Sequence, residues 1–100
     1  MKSVKILIEN INPYNKTHPA GYENKDKYHR DGIDMVKKLI LAGKNIRPIA
    51  VEEEKNNGKH QRMDGFKRYF AYKELGYKDI NCVFCKKKGC QDKMPWEVQE

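Results

Sequence analysis

Met63-Asp64-Gly65-Phe66-Lys67-Arg68-Tyr69-Phe70-Ala71-Tyr72-Lys73-Glu74-Leu75-Gly76 changes its period part-way along. Up to Met63 the chain reads as a strand, Asp64-Gly65 breaks it, and from Phe66 the pattern is helical. Phe66 with Phe70 and Ala71 with Leu75 fall four apart, and Gly76 closes the segment. A strand that turns through glycine into a helix N-terminus presents unpaired backbone N–H groups and the positive end of the helix dipole. Lys67 and Arg68 add two cations, so the stretch fits a phosphate, with Gly65, Phe66, Lys67 and Arg68 as its binding residues and Asp64 as the candidate catalytic carboxylate. In the plainer reading, Asp64 caps the helix and both cations face solvent.

Working outward, Lys59–Met63 is the return strand of a hairpin turned by Asn56-Asn57-Gly58, and Arg47–Glu52 is its partner, with Ile49 and Val51 on one face. Upstream, Ile33, Val36 and Ile40, flanked by Met35 and Leu39, recur at helical spacing; Asp31 is the expected cap and Gly43 the expected end. Val4, Ile6 and Ile8 alternate over an expected first strand at 3–11. Downstream, Asp79–Cys85 is a last strand with Ile80, Cys82 and Phe84 on one face. The order β-α-β-β-α-β predicts a single α+β domain over 1–85 with a small mixed sheet and a basic polar tail at 86–100. Residues 13–30 lack apolar periodicity and read as a long loop, either a connector or a lid that orders over an anion with help from His29 and Arg30.

The composition sets outer bounds. One hundred residues hold one core, which excludes a multidomain enzyme. No stretch has the run of about 18 apolar residues that a membrane helix needs. The formal charge of +7 favours anionic partners, meaning nucleic acid or a phosphorylated small molecule. Three cysteines near one end make a poor disulfide framework and suit a reducing cytoplasm. Cys82-x2-Cys85-x4-Cys90, with His60 as a fourth ligand, has the donors for zinc, but Cys82 falls on the apolar face of a strand and zinc is not favoured. Lys86, Lys87 and Lys88, near Trp96, are the residues an alternative nucleic-acid-binding function would use, although such a run is more often a solvated tail. No residue pattern sets the oligomeric state.

Gly43, Pro48-Ile49-Ala50-Val51, the hairpin, then Asp64, Gly65, Arg68, Ala71 and Gly76 in register, followed by a strand, together resemble the ParB/sulfiredoxin superfamily over roughly residues 3–85. The resemblance implies a small α+β domain whose glycine-to-arginine turn holds nucleotide phosphates, as in CTP-binding partition proteins, ATP-using sulfiredoxins and free-serine kinases. It implies that Gly65 and Arg68 hold phosphate, that Lys67 stands where partition proteins have arginine, and that Asp64 matches the kinase aspartate near metal and phosphates. A nucleoside triphosphate or diphosphate, with Mg²⁺ beside Asp64, is the implied cofactor set. Phe66 replaces the sulfiredoxin cysteine, which argues against that activity, and the partition proteins' helix-turn-helix has no counterpart after residue 85. The kinases also place a carboxylate before the first helix, where Glu23 and Asp26 both stand. The implied functions are nucleotide or phosphate binding, with hydrolysis or transfer of phosphate as its extension, and alternatively a ParB-like nuclease. A ferredoxin-like fold shares the element order and would place both helices on one face of the sheet.

Overall fold

The computed structural model describes residues 3–85; the tail with Lys86, Lys87 and Lys88 lies outside the described residues. Its elements are β1 (Val4–Leu7), β2 (Ile11–Asn12), α1 (Lys27–Leu41), β3 (Ile49–Asn56), β4 (Lys59–Asp64), α2 (Phe66–Glu74) and β5 (Asp79–Phe84), with single turns of 3-10 helix at Ile8–Asn10 and Tyr22–Asn24. The five strands form one mixed sheet in the order β1-β5-β3-β4-β2. β3 pairs antiparallel with β4 and parallel with β5, while β1 pairs antiparallel with β5 and β2 parallel with β4.

The expected first strand is two strands. Ile8–Asn10 interrupts it, and the halves pair at opposite edges of the sheet. Four residues reach at most about 14 Å, whereas the edges of a flat five-stranded sheet lie about 19 Å apart. The sheet is therefore curled until its edges approach, and Ile8 fastens the crossing by donating its N–H to the Lys78 carbonyl at 2.8 Å. Alternating Val4, Ile6 and Ile8 look like one strand because Ile6, Ile8 and Ile11 all point into the same core.

Both helices cover one face of the sheet. Ile33 of α1 and Phe66, Tyr69, Phe70 and Ala71 of α2 are buried with Ile49, Val51, Ile80 and Cys82, while Ala50, Val83 and Cys85 cluster on the other face. Helix placement thus does not separate this fold from a ferredoxin-like one. The hairpin turns at Asn57 (φ 56°) and Gly58 (φ 79°), as the sequence predicts.

α1 begins a turn before the expected Asp31. Asp26 is its cap, accepting from the His29 N–H at 2.9 Å, with His29 Nδ1 2.8 Å from the same oxygen. The first turn, Lys27-Tyr28-His29-Arg30, is polar, so apolar periodicity cannot register it. The loop before it, which lacks apolar periodicity, is anchored by aromatic rings. The rings of Tyr14, His18 and Tyr22 stand 6.5, 4.8 and 5.5 Å from Phe66, centroid to centroid. Tyrosine and histidine bury their rings while remaining polar in composition, which conceals such anchors in a sequence.

Candidate functional site

β4 and α2 are joined by Gly65 alone, in the left-handed conformation at φ 97° and ψ 33°. A Cβ there would lie 2.5 Å from Ile49 Cγ2 and 2.8 Å from Ile49 Cβ, so both conformation and space demand glycine. Just before it, β4 bulges: Ala50 pairs with Asp64 and Val51 with Arg62, leaving Met63 as the additional residue. Bulges beside functional sites re-aim side chains, and this one turns Asp64 toward α2.

The N-terminus of α2 carries no side-chain cap. Asp64, expected in the plainer reading to cap it, instead accepts from Arg68 Nη2 at 3.3 Å. The first intrahelical bond runs from the Tyr69 N–H to the Gly65 carbonyl at 2.8 Å, so the N–H groups of Phe66, Lys67 and Arg68 precede the ladder. Arg68 is largely buried and also donates through Nη1 to the Pro48 carbonyl at 2.9 Å and the Arg47 carbonyl at 3.2 Å. Burial pulls its pKa below the ordinary value and Asp64 pulls it back; arginine stays protonated regardless. Arg68 is thus first a brace between α2 and the entry to β3.

Lys67 lies across α1. Its ammonium sits 4.6 Å from the Tyr28 ring centroid, and a Cβ on Gly32 would meet the end of the Lys67 side chain at 2.8 Å. A glycine inside a helix normally costs about 1 kcal/mol relative to alanine; here it clears a path for lysine. Asp64, Gly65, Phe66, Lys67 and Arg68 together line a cavity of about 450 Å³ completed by Val36, Leu39, Asn45, Ile46 and Arg47. The apolar wall from α1 and the approach to β3 has no counterpart in the sequence reading, where Val36 and Leu39 look like ordinary helix core.

His29 and Arg30 are not brought to this turn. His29 is held by Asp26, and Arg30 donates to both carboxylate oxygens of Glu74, at 2.9 and 2.8 Å, tying α1 to α2. Of the two loop carboxylates, Glu23 accepts from the Tyr14 hydroxyl at 3.1 and 3.0 Å, and Asp26 is the α1 cap. His60 Nδ1 lies 2.9 Å from the Glu52 carbonyl and its ring packs 5.5 Å from Phe84. Cys82 is buried in the core, and burial pushes its thiol pKa up to about 12. Cys90 lies outside the described residues.

No family model matches the sequence, and no curated protein does. Solved structures do. Sulfiredoxin from Arabidopsis thaliana superposes with a TM-score of 0.61 at 19% identity, covering 98% of each chain. A C-terminally truncated chromosome-partitioning protein ParB from Caulobacter crescentus, complexed with CTP-gamma-S, gives 0.63 at 19% identity over 100% of this chain and 54% of its own. A free serine kinase in complex with AMP gives 0.62 at 13% identity over 89% of this chain and 33% of its own. The chain therefore has the ParB/sulfiredoxin fold, and the ferredoxin-like alternative is set aside. It spans about half of that ParB structure and about a third of the kinase.

Proposed function

We propose that the protein binds a nucleotide across the Gly65 turn, with its phosphates on the N-terminus of α2 and its base and sugar against Val36, Leu39 and Ile46. The observation that carries this reading is the uncapped start of α2. Three N–H groups precede the helix ladder with no side-chain cap, and they open onto a cavity with an apolar wall on one side and Lys67 on the other. A helix N-terminus attracts phosphate through those donors and through the dipole. Nucleotides in two neighbours of the same fold support the reading.

Asp64 is the single carboxylate at the turn among the described residues, which matches the small protein share that Mg²⁺ takes beside phosphates; one of its oxygens is already engaged by Arg68. Mg²⁺ there would supply charge neutralisation at the phosphates. Asp64 is also the residue that would orient an attacking hydroxyl or water if the bound phosphate is transferred or hydrolysed, since position and electrostatics supply most of that chemistry.

The test is a titration of AMP, ADP and ATP, with and without Mg²⁺, followed by backbone amide NMR. Amides 66–68 should shift saturably, and Lys67→Glu should weaken binding at least tenfold while Lys59→Glu, on the hairpin, leaves it unchanged. Amides 66–68 that stay still with every nucleotide overturn the assignment.

A further inference from the structure

β4 buries a second cation that the Gly65 site does not use. Arg62 is only 3% exposed, donates through Nε to the Pro13 carbonyl at 2.8 Å, and holds its guanidinium carbon 5.3 Å from the Phe66 ring centroid. Its Nη2 is buried with no hydrogen-bond partner among the described residues. An unsatisfied donor on a buried charge is costly, and an apolar side chain of similar volume would serve the core better. Arg62 lines a cavity of about 500 Å³ whose other wall is the start of the loop, including Lys16, Thr17 and His18, and whose floor, Asp64 and Phe66, is shared with the Gly65 cavity.

We propose that this cavity is a second anion subsite, filled by a phosphate or carboxylate group that accepts a hydrogen bond from Arg62 Nη2. A planar, permanently charged guanidinium suits either oxyanion. Lys16 adds a second cation at the solvent side. Thr17, whose hydroxyl is 2.9 Å from Asn15 Oδ1 and 3.0 Å from His18 Nδ1, orders the facing loop. His18 contributes hydrogen bonding rather than charge, because burial, Arg62, His29 and Lys25 all hold its pKa down. Among the described residues Asp64 is the one carboxylate at the cavity, and its negative charge is met by Arg68. The anion arrives in one of two ways, as the distal phosphate of the molecule on the Gly65 turn or as the anionic group of a separate small molecule. Only that choice rests on the nucleotide reading.

The readout is the Arg62 Nε–H signal in ¹H–¹⁵N NMR, followed with amides 66–68 while the full chain is titrated with inorganic phosphate, acetate, AMP and ATP. Inorganic phosphate or acetate should shift Arg62 saturably. Arg62→Met should remove the accompanying shifts of amides 16–18 and weaken the anion at least tenfold. Should that variant not fold, Lys16→Ala and Thr17→Val in the exposed loop should each weaken the same anion several-fold. A shift of both sites with ATP but of 66–68 alone with AMP assigns the anion to the nucleotide's own tail; a response to acetate assigns it to a separate carboxylate. An Arg62 signal unmoved by all four probes overturns the subsite, whatever amides 66–68 do. An Arg62 that responds while 66–68 never move overturns the nucleotide reading and leaves the subsite standing.

Discussion

Gly65 occupies a position where neither φ nor space admits a side chain, with Ile49 pressed against the place a Cβ would take. Gly65→Ala should therefore cost about 2–4 kcal/mol, combining left-handed strain with overpacking, measurable by urea denaturation. Gly32 is the opposite case. Its added Cβ would meet only the movable end of Lys67, so Gly32→Ala should raise stability by about 0.5–1 kcal/mol through helix propensity while pushing the ammonium off Tyr28. Fluorescence of the tyrosines and nucleotide affinity would register that shift. Cys82, whose thiol is held near pKa 12 by burial, should resist iodoacetamide at pH 8 in the folded protein and react once unfolded, as read from the mass of its peptide.

Between elements, Glu74 of α2 makes a contact sensitive to pH, its carboxyl lowered to about 2, first by the Arg30 hydrogen bonds and then by Lys37. A depressed carboxylate pKa stabilises the fold above its unfolded value near 4.5, and that contribution is lost as pH falls through about 2. Glu74→Gln should cost about 1 kcal/mol at pH 7, allowing for solvent screening, and thermal melts of the two proteins should converge between pH 4.5 and 2. The same pair shows where a sequence falls short. Arg30 beside His29 at a helix start resembles a phosphate grip, and only the packing of α1 on α2 reveals that Glu74, 44 residues on, has taken it. Periodicities inside one element were legible: the helical spacing from Ile33 and from Phe66, the Asn57-Gly58 turn, and the glycine break before α2. Arg62 was hidden differently. It follows His60 on the inward face of β4, inside a stretch that reads as a plain return strand, and nothing in its spacing shows that the loop covers it.

At the scale of the molecule, β1 and β2 form the two edges of the sheet among the described residues, β1 beside β5 and β2 beside β4. A chain lacking residues 1–12 should expose two strand edges at once and aggregate rather than refold, as light scattering after dilution from denaturant would show. The arrangement also bears on synthesis. β1 can pair only once β5, which ends at Phe84, has been made, and at 5–20 residues per second the chain between Leu7 and Phe84 takes roughly 4–15 s. Throughout it β1 has no strand to pair with, although β2, β3 and β4 can already form their part of the sheet. Assembly of the sheet is thus staggered: β2 can join β4 once Asp64 has been made, and β1 and β5 meet last.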